Sequence, residues 1–342
     1  MRPNVPKVTV LMTLHNKGPY VEEAVRSVLA STFTDLELLV VDDASTDGGL
    51  EVVKRISDPR IRILESPVNT GRPAAANRGY DAATGAYIAV LDADDRIHPE
   101  RIAKQVAFLD AHPDVGVCGS WLRFFGGRDL VHRLPDEDEE ARALSVFGVP
   151  VSYGACMFRR SVLEAHGLRC PVEWRTPGMD YLFMLAVGRH TRYANLPEVL
   201  TDYRIGMQNM RHGRDPRRDL FLVTVEMFRL LDIAASEAEA WSHLHLHEPP
   251  HPQLGWAGLW AVHRWKGKLL RTTTHLFPGP SFARQLDQRW DRLFHILVKE
   301  DAWASLLHIA LSGNWRERFG YWLSVTRRRW MGGAVSDQGP TP

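Results

Sequence analysis

Three carboxylates lie within four residues directly after an apolar stretch of the sequence. The stretch is AYIAVL, residues 86–91, and the carboxylates belong to Asp92, Asp94 and Asp95. Side chains of like charge at this spacing repel one another unless a cation lies between them. Proteins commonly hold Mg²⁺ or Mn²⁺ through one or two carboxylates together with substrate phosphates. The pattern therefore favours a divalent cation between Asp94 and a diphosphate, and an acidic surface turn is the alternative.

A second acidic pair follows another apolar stretch earlier in the chain. The stretch ELLVV, residues 37–41, leads into Asp42 and Asp43, and then into the Ser-Thr-Asp sequence at residues 45–47. A carboxylate can accept hydrogen bonds from a pyrimidine N–H or from sugar hydroxyls. Two interpretations stay open for this pair: contact with a nucleoside, or turn and helix-capping chemistry alone.

The first 120 residues alternate between strand-like and helix-like patterns. Short apolar runs predict strands at residues 8–14, 37–41, 61–64, 86–91 and 115–118. Helices are predicted at residues 20–30, after the capping residues 45–47, at 73–83, and from Pro99 to about residue 111. Strands separated by helices form right-handed crossovers and a mainly parallel sheet. Because ligands bind beyond the carboxyl ends of such strands, we expect the site in the loops after Leu14, Val41 and Leu91.

The pattern changes after about residue 121. We expect an antiparallel hairpin around Gly126 and Gly127, and then a mixture of helices and strands, with strands at 152–158, 192–195 and 199–205 and helices from the acidic run 136–140, at 160–166 and at 179–187. From about residue 215 the sequence is helical in pattern and rich in Trp and Arg. We therefore predict one domain at 1–212, with halves at about 1–120 and 121–212, a helical region at 213–331, and a disordered tail at 332–342.

Composition excludes several classes of protein. The chain has 342 residues, a formal charge of +1, 44 % hydrophobic and 24 % charged residues, which argues against disordered, collagen-like and disulfide-dense chains. A net charge near zero gives no argument for nucleic-acid binding. The three scattered cysteines are expected to be reduced thiols of a cytoplasmic protein. Neither a signal peptide nor an uninterrupted apolar run of about 18 residues is recognised, so peripheral contact is the form of membrane association left open.

Several blocks of the sequence carry a family resemblance when taken in their order. They are VTVLMTLHN, TFTDLELLVVDDASTDGG and NTGRPAAANRGYDAATGAYIAVLDADD. Together they resemble the inverting family 2 glycosyltransferases of the GT-A fold, closely over residues 7–120 and more loosely over 120–210. The resemblance implies a Rossmann-like α/β fold whose mixed, mainly parallel sheet is flanked by helices. It also implies transfer of a sugar from a nucleotide-diphosphate sugar, by default a UDP-sugar, to a hydroxyl acceptor with the help of Mn²⁺ or Mg²⁺.

The resemblance also assigns residues to the nucleotide sugar and the metal. Thr13 and Asp43 match the residues that hold the nucleoside, with Asp42 beside them. Asp92 matches the carboxylate near the ribose. Asp94 matches the metal ligand, and Asp95 is expected to assist it.

One donor-side motif departs from the family pattern. The family usually has Arg before the Asn of its Ala-Arg-Asn-x-Gly segment, whereas this chain has Ala76 before Asn77. Asn77 is retained as a nucleotide-sugar-binding candidate, and Arg72 is the nearby arginine that we expect to supply the missing contact.

The catalytic base is expected at the start of a later helix. Asp180 matches the Asp of the family's Glu-Asp pair, to which proton transfer is generally assigned, while Met179 replaces the Glu. The alternative is that Asp180 only stabilises the helix N-terminus. For the whole protein, the alternative to an enzyme is a catalytically inactive module that binds a nucleotide sugar or a glycan. A dinucleotide-binding dehydrogenase is excluded because no Gly-x-Gly-x-x-Gly follows the first strand.

Two features of the C-terminal region carry weaker hypotheses. His243, His245 and His247 would share a face only on a strand, so a solvated loop is favoured over a zinc site. The segment 315–330 places Trp315, Phe319, Trp322 and Trp330 near one face of a helix with a charge of about +4. This helix either packs on the catalytic domain or lies on an anionic membrane. A glycan or lipid-linked acceptor of cell-surface polysaccharide, lipopolysaccharide or other glycoconjugate synthesis would suit the second possibility.

Overall fold

The computed structural model describes residues 5–127, 129–174, 176–206, 215–247, 254–312 and 315–330. The chain divides into two compact units, Met1–Asp219 and Leu220–Pro342. The predicted boundary near residue 212 lies among residues outside the described ranges, and so does the predicted disordered tail at 332–342.

The first unit is built on one sheet. Its described strands are β1 (Val8–Leu14), β2 (Leu36–Asp42), β3 (Ile61–Glu65), β4 (Tyr87–Asp92), β5 (Arg96–Ile97), β6 (Val115–Phe125), β7 (Leu130–His132), β8 (Met157–Arg159) and β9 (Arg192–Arg204). The strand order is β3–β2–β1–β4–β8–β6–β9–β5, and β7 pairs with β6. Strands β3, β2, β1 and β4 are parallel, β8 runs antiparallel between β4 and β6, and β9 is parallel to β6.

Helices cover both faces of this sheet. They are α1 (Gly18–Leu29), α2 (Gly49–Lys54), α3 (Arg72–Ala82), α4 (Arg101–Ala111), α5 (Asp138–Leu144), α6 (Arg160–Ala165) and α7 (Met179–Gly188). Successive strand residues point to opposite faces, so Met12 packs in one core with α1 and α4, while Leu11 packs in the other with α3 and α7. Gly79 allows α3 to approach β1, because a Cβ there would lie 2.2 Å from Leu11 Cδ1.

The predicted α/β class, with helices flanking a mixed sheet and a helical C-terminal region, is confirmed, and some local predictions are corrected. The caps predicted at 45–47 are wrong: α2 begins after Gly48, whose φ is +82°, and Asp47 instead accepts from the backbone N–H of Gly18 at 2.7 Å and of Gly49 at 3.0 Å. The strand predicted at 152–158 is only partly right, since Tyr153–Ala155 forms a 3-10 turn before β8.

The described part of the second unit is helical. Its helices are α8 (Pro216–Leu230), which begins just before the unit boundary, α9 (Glu237–His247), α10 (Gly255–Thr272), α11 (Ser281–Glu300), α12 (Ala302–Leu311) and α13 (Trp315–Trp330). None of the helices in the described ranges is both long and apolar enough to span a bilayer. The solvated loop predicted around His243 is wrong: His243 is buried in α9, where its Nδ1 accepts a hydrogen bond from Trp265 Nε1 at 3.2 Å.

The aromatic residues predicted to share one face of α13 do so where their side chains are described, and the rings of Phe319 and Trp322 stack with centroids 5.7 Å apart; the side chain of Trp330 lies outside the described ones. Trp322 packs, partly buried, against a core that contains Phe294 and Val325. Trp315 and Phe319 are exposed instead, and Leu323 continues their row at the same spacing of four residues. The helix therefore packs on its neighbours along one side of this apolar surface and leaves the part with Trp315, Phe319 and Leu323 open.

Candidate functional site

The carboxyl ends of three adjacent parallel strands bring the predicted site loops together. In the sheet register, Thr13 of β1 lies between Val41 of β2 and Asp92 of β4. The loops that follow these strands consequently leave the sheet at one edge, as their parallel order requires. Thr13 itself is only partly buried at this edge.

Asp43 joins the second of these loops to the start of α3. Its buried carboxylate accepts hydrogen bonds from the Thr70 N–H, the Thr70 hydroxyl and the Gly71 N–H, each at 2.8 Å. Gly71 has a φ of +88° and immediately precedes α3. Asp43 thus fixes the position from which Arg72, the first residue of α3, extends.

Asp42 has an unsatisfied oxygen beneath the same loop. It is buried, and its Oδ2 accepts from the Ser45 N–H at 3.2 Å. Its Oδ1 has no hydrogen-bond partner among the residues that the structure describes. A buried acceptor without a partner lowers stability, so a donor brought to this oxygen would be stabilising.

Arg72 forms an ion pair with Asp92 at the end of β4. Its Nη2 lies 2.7 Å from Asp92 Oδ1 and 3.0 Å from Asp92 Oδ2. Burial opposes the charge of the guanidinium, but Asp92 and Asp180 outweigh this effect and raise the pKa of Arg72. Burial raises the pKa of Asp92, with Arg72 opposing the shift and Asp94 and Asp180 adding to it. The charges of Arg72 and Asp92, predicted to bind the nucleotide sugar, therefore interact with that of Asp180, the predicted catalytic base.

The three carboxylates of the acidic turn each have a different partner. Asp92 pairs with Arg72, as described, and Asp94 Oδ2 lies 2.5 Å from Lys17 Nζ. Asp95 is buried, and its Oδ1 accepts from the backbone N–H of Arg204 at 2.7 Å. Of the two predicted metal ligands, Asp95 is buried and Asp94 is partly exposed.

Arg204 holds the turn from the far side. Besides its backbone contact with Asp95, its Nε donates to the Asp94 carbonyl oxygen at 2.9 Å. Burial and the neighbouring Asp92 raise the pKa of Asp95, and the Arg204 N–H opposes the shift. Gly154 lies against the same carboxylates: a Cβ there would be 3.5 Å from Asp92 Oδ2 and 3.6 Å from Asp95 Oδ2.

A buried arginine and glutamine support this edge from inside the unit. Arg101 donates to the carbonyl oxygens of Val90, Gly154 and Cys156 at 3.0–3.1 Å. Burial lowers the pKa of Arg101 to about 10. Gln105, one turn later, binds further carbonyls on β6 and the 3-10 turn. The end of β4 and the turn before β8 are thereby fixed to α4.

Asp180 lies in the first turn of α7, as predicted. Its Oδ1 accepts from the Tyr181 N–H at 2.9 Å, and its charge acts on Arg72 and Asp92. Met179, which stands where the family has Glu, is buried in the core. The Met179 side chain therefore contributes to the packing of this core.

Asn77 has both polar ends of its side chain engaged by the protein. Its Nδ2 donates to the Cys170 carbonyl oxygen at 2.9 Å, and its Oδ1 accepts from the Cys170 N–H at 2.7 Å. Asn77 thus ties α3 to the segment that leads toward α7.

Sequence reasoning missed four residues that line this edge. Lys17 and Arg204 hold the acidic turn, the guanidinium of Arg72 lies over the ring of Tyr153 at 5.4 Å, and Tyr203 interacts electrostatically with the same charged groups. Burial, followed by the charges of Asp92 and Asp95, raises the pKa of Tyr203. The one sequence signal for these residues is that Lys17 lies in the loop after the first strand, three positions beyond Leu14.

The residues of the turn fit a divalent cation through one carboxylate. Within the described ranges, no three His, Cys, Asp or Glu side chains converge as a complete metal site would require. Asp94, however, already holds a cationic group in a partly exposed position. A site with one protein carboxylate, completed by diphosphate oxygens and water, is the arrangement that Mg²⁺ commonly uses.

The first half of the chain is similar to known sequences. Residues 9–167 match the family model for glycosyl transferase family 2. The putative glycosyltransferase EpsE of Bacillus subtilis is 34 % identical over 164 residues, which are 46 % of this chain and 57 % of EpsE. The succinoglycan biosynthesis protein ExoO of Rhizobium meliloti is 33 % identical over 193 residues, 53 % of this chain and 55 % of ExoO. The matched part thus spans little more than half of these relatives.

Solved structures of low sequence identity share the fold over nearly the whole chain. S. aureus TarS 1–349, in a crystal structure with UDP, superposes with a TM-score of 0.58 at 18 % identity and covers 97 % of this chain and 94 % of its own. The mannosyltransferase PcManGT from Pyrobaculum calidifontis, in complex with GDP-Man and Mn²⁺, gives a TM-score of 0.53 at 19 % identity, covering 96 % and 88 %.

Proposed function

We propose, from the match of residues 9–167 to the family model for glycosyl transferase family 2, that this chain transfers a sugar from a nucleotide-diphosphate sugar to a hydroxyl acceptor. UDP is the nucleotide that we propose first. The observation that carries the proposal is the shared environment of Arg72, Asp92 and Asp180, which come from α3, β4 and α7. A cationic group that interacts with two carboxylates in this way supports a candidate active site.

The nucleoside would bind at the loops after β1 and β2. Asp43 has one carboxylate oxygen with a single protein hydrogen bond, from Gly71, so it can accept another from a base N–H. Asp42 offers its unsatisfied Oδ1, and Thr13 lies at the strand end between these loops and Asp92. Asn77 would contribute indirectly, by fixing α3.

Asp180 would act as the general base. Its carboxylate accepts the proton of the acceptor hydroxyl while the oxygen attacks the anomeric carbon and the nucleotide diphosphate leaves. A single displacement of this kind inverts the anomeric configuration. Arg72 holds the charge of Asp92 beside the proposed base, so the base acts next to a fixed cation.

The metal of this proposal is Mn²⁺ or Mg²⁺, with Asp94 as its protein ligand. When bound, the ion would neutralise negative charge on the departing diphosphate. Asp95 would support Asp94 from inside the turn through its contact with Arg204.

Substitution of the base tests the reaction. A panel of nucleotide sugars is first screened by thermal shift with Mn²⁺, and release of nucleotide diphosphate is then measured with the sugar that stabilises most. Asp180→Asn is expected to lower turnover by roughly 10²–10⁴-fold and to leave nucleotide-sugar affinity nearly unchanged. Glu139→Gln, which removes a first-turn carboxylate of α5, is the matched control and keeps full turnover. An Asp180→Asn protein that turns over at the wild-type rate contradicts the assignment.

The acceptor would belong to cell-surface polysaccharide, lipopolysaccharide or another glycoconjugate, presented at the inner face of the cytoplasmic membrane. The support is the open face of α13, where Trp315, Phe319 and Leu323 are exposed and Arg316 and Arg327 are exposed beside them. Aromatic and basic residues on one helix surface suit an anionic membrane interface.

Vesicle flotation tests this contact. The wild-type chain is expected to float with anionic vesicles and not with zwitterionic ones. The triple variant Trp315→Ser, Phe319→Ser, Leu323→Ser is expected to remain unbound, while Trp241→Ser, an exposed Trp on α9, behaves like the wild type. Equal flotation of the triple variant and the wild type would remove α13 from the proposal.

A further inference from the structure

Lys17 occupies the carboxylate that the proposed function gives to a metal ion. Its Nζ lies 2.5 Å from Asp94 Oδ2, across 77 positions of sequence, and the two side chains are 23 % and 17 % exposed. The pair is therefore partly desolvated, and attraction between its opposite charges is stronger than on an open surface. It is also accessible enough for another cation to enter.

The backbone around Lys17 is fixed while its side chain can move. Its carbonyl oxygen accepts from the N–H groups of Tyr20 and Val21, both at 2.9 Å, at the start of α1. The ammonium is carried on a flexible four-carbon chain. Lys17 can exchange one anionic partner for another nearby without any change in the loop.

The other two cationic groups at the turn have no such freedom. Arg72 contacts both oxygens of Asp92, and Arg204 is held at once by Asp94, Asp95 and Glu23. Of the cations that touch the acidic turn in the described residues, Lys17 is held by a single side-chain contact to Asp94. A divalent ion that binds Asp94 would therefore displace Lys17 and leave the two arginines in place.

We propose that Lys17 is the resting counter-ion of Asp94, and that its ammonium moves to the diphosphate of the nucleotide sugar when a divalent ion takes its place. This inference rests on the proposed function. Lys17 then has opposite effects on two ligands. It competes with the metal alone, and it binds the diphosphate together with the metal. Removing an ion pair that is only structural would not change the affinities for the metal and for the diphosphate in opposite directions.

Two titrations measure these effects separately. Free Mn²⁺ is followed by its electron paramagnetic resonance signal as protein is added, and UDP binding in the presence of Mn²⁺ is measured by calorimetry. For Lys17→Met we expect Mn²⁺ alone to bind about 3- to 10-fold more tightly and UDP with Mn²⁺ to bind about 10-fold more weakly. Lys17→Arg keeps the charge and is expected to stay near the wild type for Mn²⁺ alone.

Control variants separate the inference from the proposed function. Lys7→Met breaks another ion pair, with Asp110 at 2.6 Å, and is expected to change neither affinity. Adding Asp94→Ala to Lys17→Met is expected to remove the gain in Mn²⁺ affinity.

The possible outcomes lead to distinct conclusions. Unchanged, weaker or undetectable Mn²⁺ binding by a folded Lys17→Met protein overturns the role of Lys17, as does unchanged UDP affinity. If the wild type still binds UDP with Mn²⁺ and Asp94→Ala does not, the proposed function survives that result. Failure of the wild type to bind UDP or any other nucleotide diphosphate counts against the proposed function itself.

Discussion

Replacing Arg72 by Met would leave the Asp92 carboxylate without its cation in a desolvated position. Loss of one partner from a fully buried ion pair costs about 3–5 kcal/mol, but these side chains are 32 % and 19 % exposed, so solvent screens part of the effect. We expect a loss of about 2 kcal/mol in the free energy of unfolding near neutral pH. For a unit of this size that corresponds to a melting temperature lower by about 4–8 °C.

The loss should depend on pH in a defined direction. Burial raises the pKa of Asp92 even with Arg72 present, and Asp94 and Asp180 add to the shift, so removing Arg72 raises it further. An acid whose pKa is raised by folding binds its proton more tightly in the folded chain. Below the ordinary pKa of about 4, Asp92 is protonated in both the folded and the unfolded chain and costs no stability. As the pH rises through the raised pKa of the folded state, the folded chain loses stability relative to the unfolded one. The difference between variant and wild type should be small near pH 4 and largest above pH 7.

Thermal melts followed by circular dichroism at several pH values from 4 to 8 measure this difference. The double variant Arg72→Met, Asp92→Asn removes the unpaired charge and is expected to recover most of the loss at pH 7.5. Arg72→Lys keeps a cation and should lose less than Arg72→Met. A loss that is the same at pH 4 and pH 8, or a double variant no more stable than Arg72→Met, would refute the electrostatic reasoning.

Three further perturbations replace other buried polar side chains. Arg101→Met removes a side-chain donor from three buried carbonyl groups and should cost about 3–5 kcal/mol in urea unfolding, whereas Lys104→Met, at a more exposed position of the same helix, should leave the unfolding midpoint near that of the wild type. Asp43→Asn replaces an acceptor of three hydrogen bonds; we expect faster amide hydrogen exchange at Gly71 and roughly 10-fold weaker UDP binding by calorimetry. Burial lowers the pKa of His308 to about 3. The neutral, buried imidazole therefore contributes its full stability above about pH 6.5, and on the order of 4 kcal/mol is lost as the pH falls toward about 3. His308→Gln should reduce the loss of stability in acid, measured as the free energy of unfolding against pH.

The sequence predicted the nucleotide-binding half well because its signals are local. Each strand from β1 to β4 is a short apolar run that ends in polar residues, and the parallel order then brings Thr13, Asp42 and Asp92 to one edge without further information. The family match at residues 9–167 confirms the resemblance that these blocks carry. The assigned roles of the individual residues stay predictions.

The partners of the acidic turn could not be predicted because they come from distant parts of the chain. Lys17 lies 77 positions before Asp94, and Arg204 lies 109 positions after Asp95. Neither pairing follows from strand or helix periodicity, which fixes the face of an element but not the side chain that meets it. The unequal burial of the aromatic residues of α13 has the same origin, since a core that contains Phe294 covers Trp322 and leaves Trp315 and Phe319 exposed.

Helix α3 is the element that connects the two halves of the proposed site. Its first residue, Arg72, pairs with Asp92 at the end of β4, and Asn77 in its middle forms two hydrogen bonds with the backbone of Cys170. Cys170 precedes α7, whose first turn carries Asp180. A displacement of α3 would therefore shift the cation of the donor side and the support of the proposed base together. Arg72 thus supplies a cation beside Asp92 from the start of this helix, while Ala76, which stands before Asn77, is buried in the core.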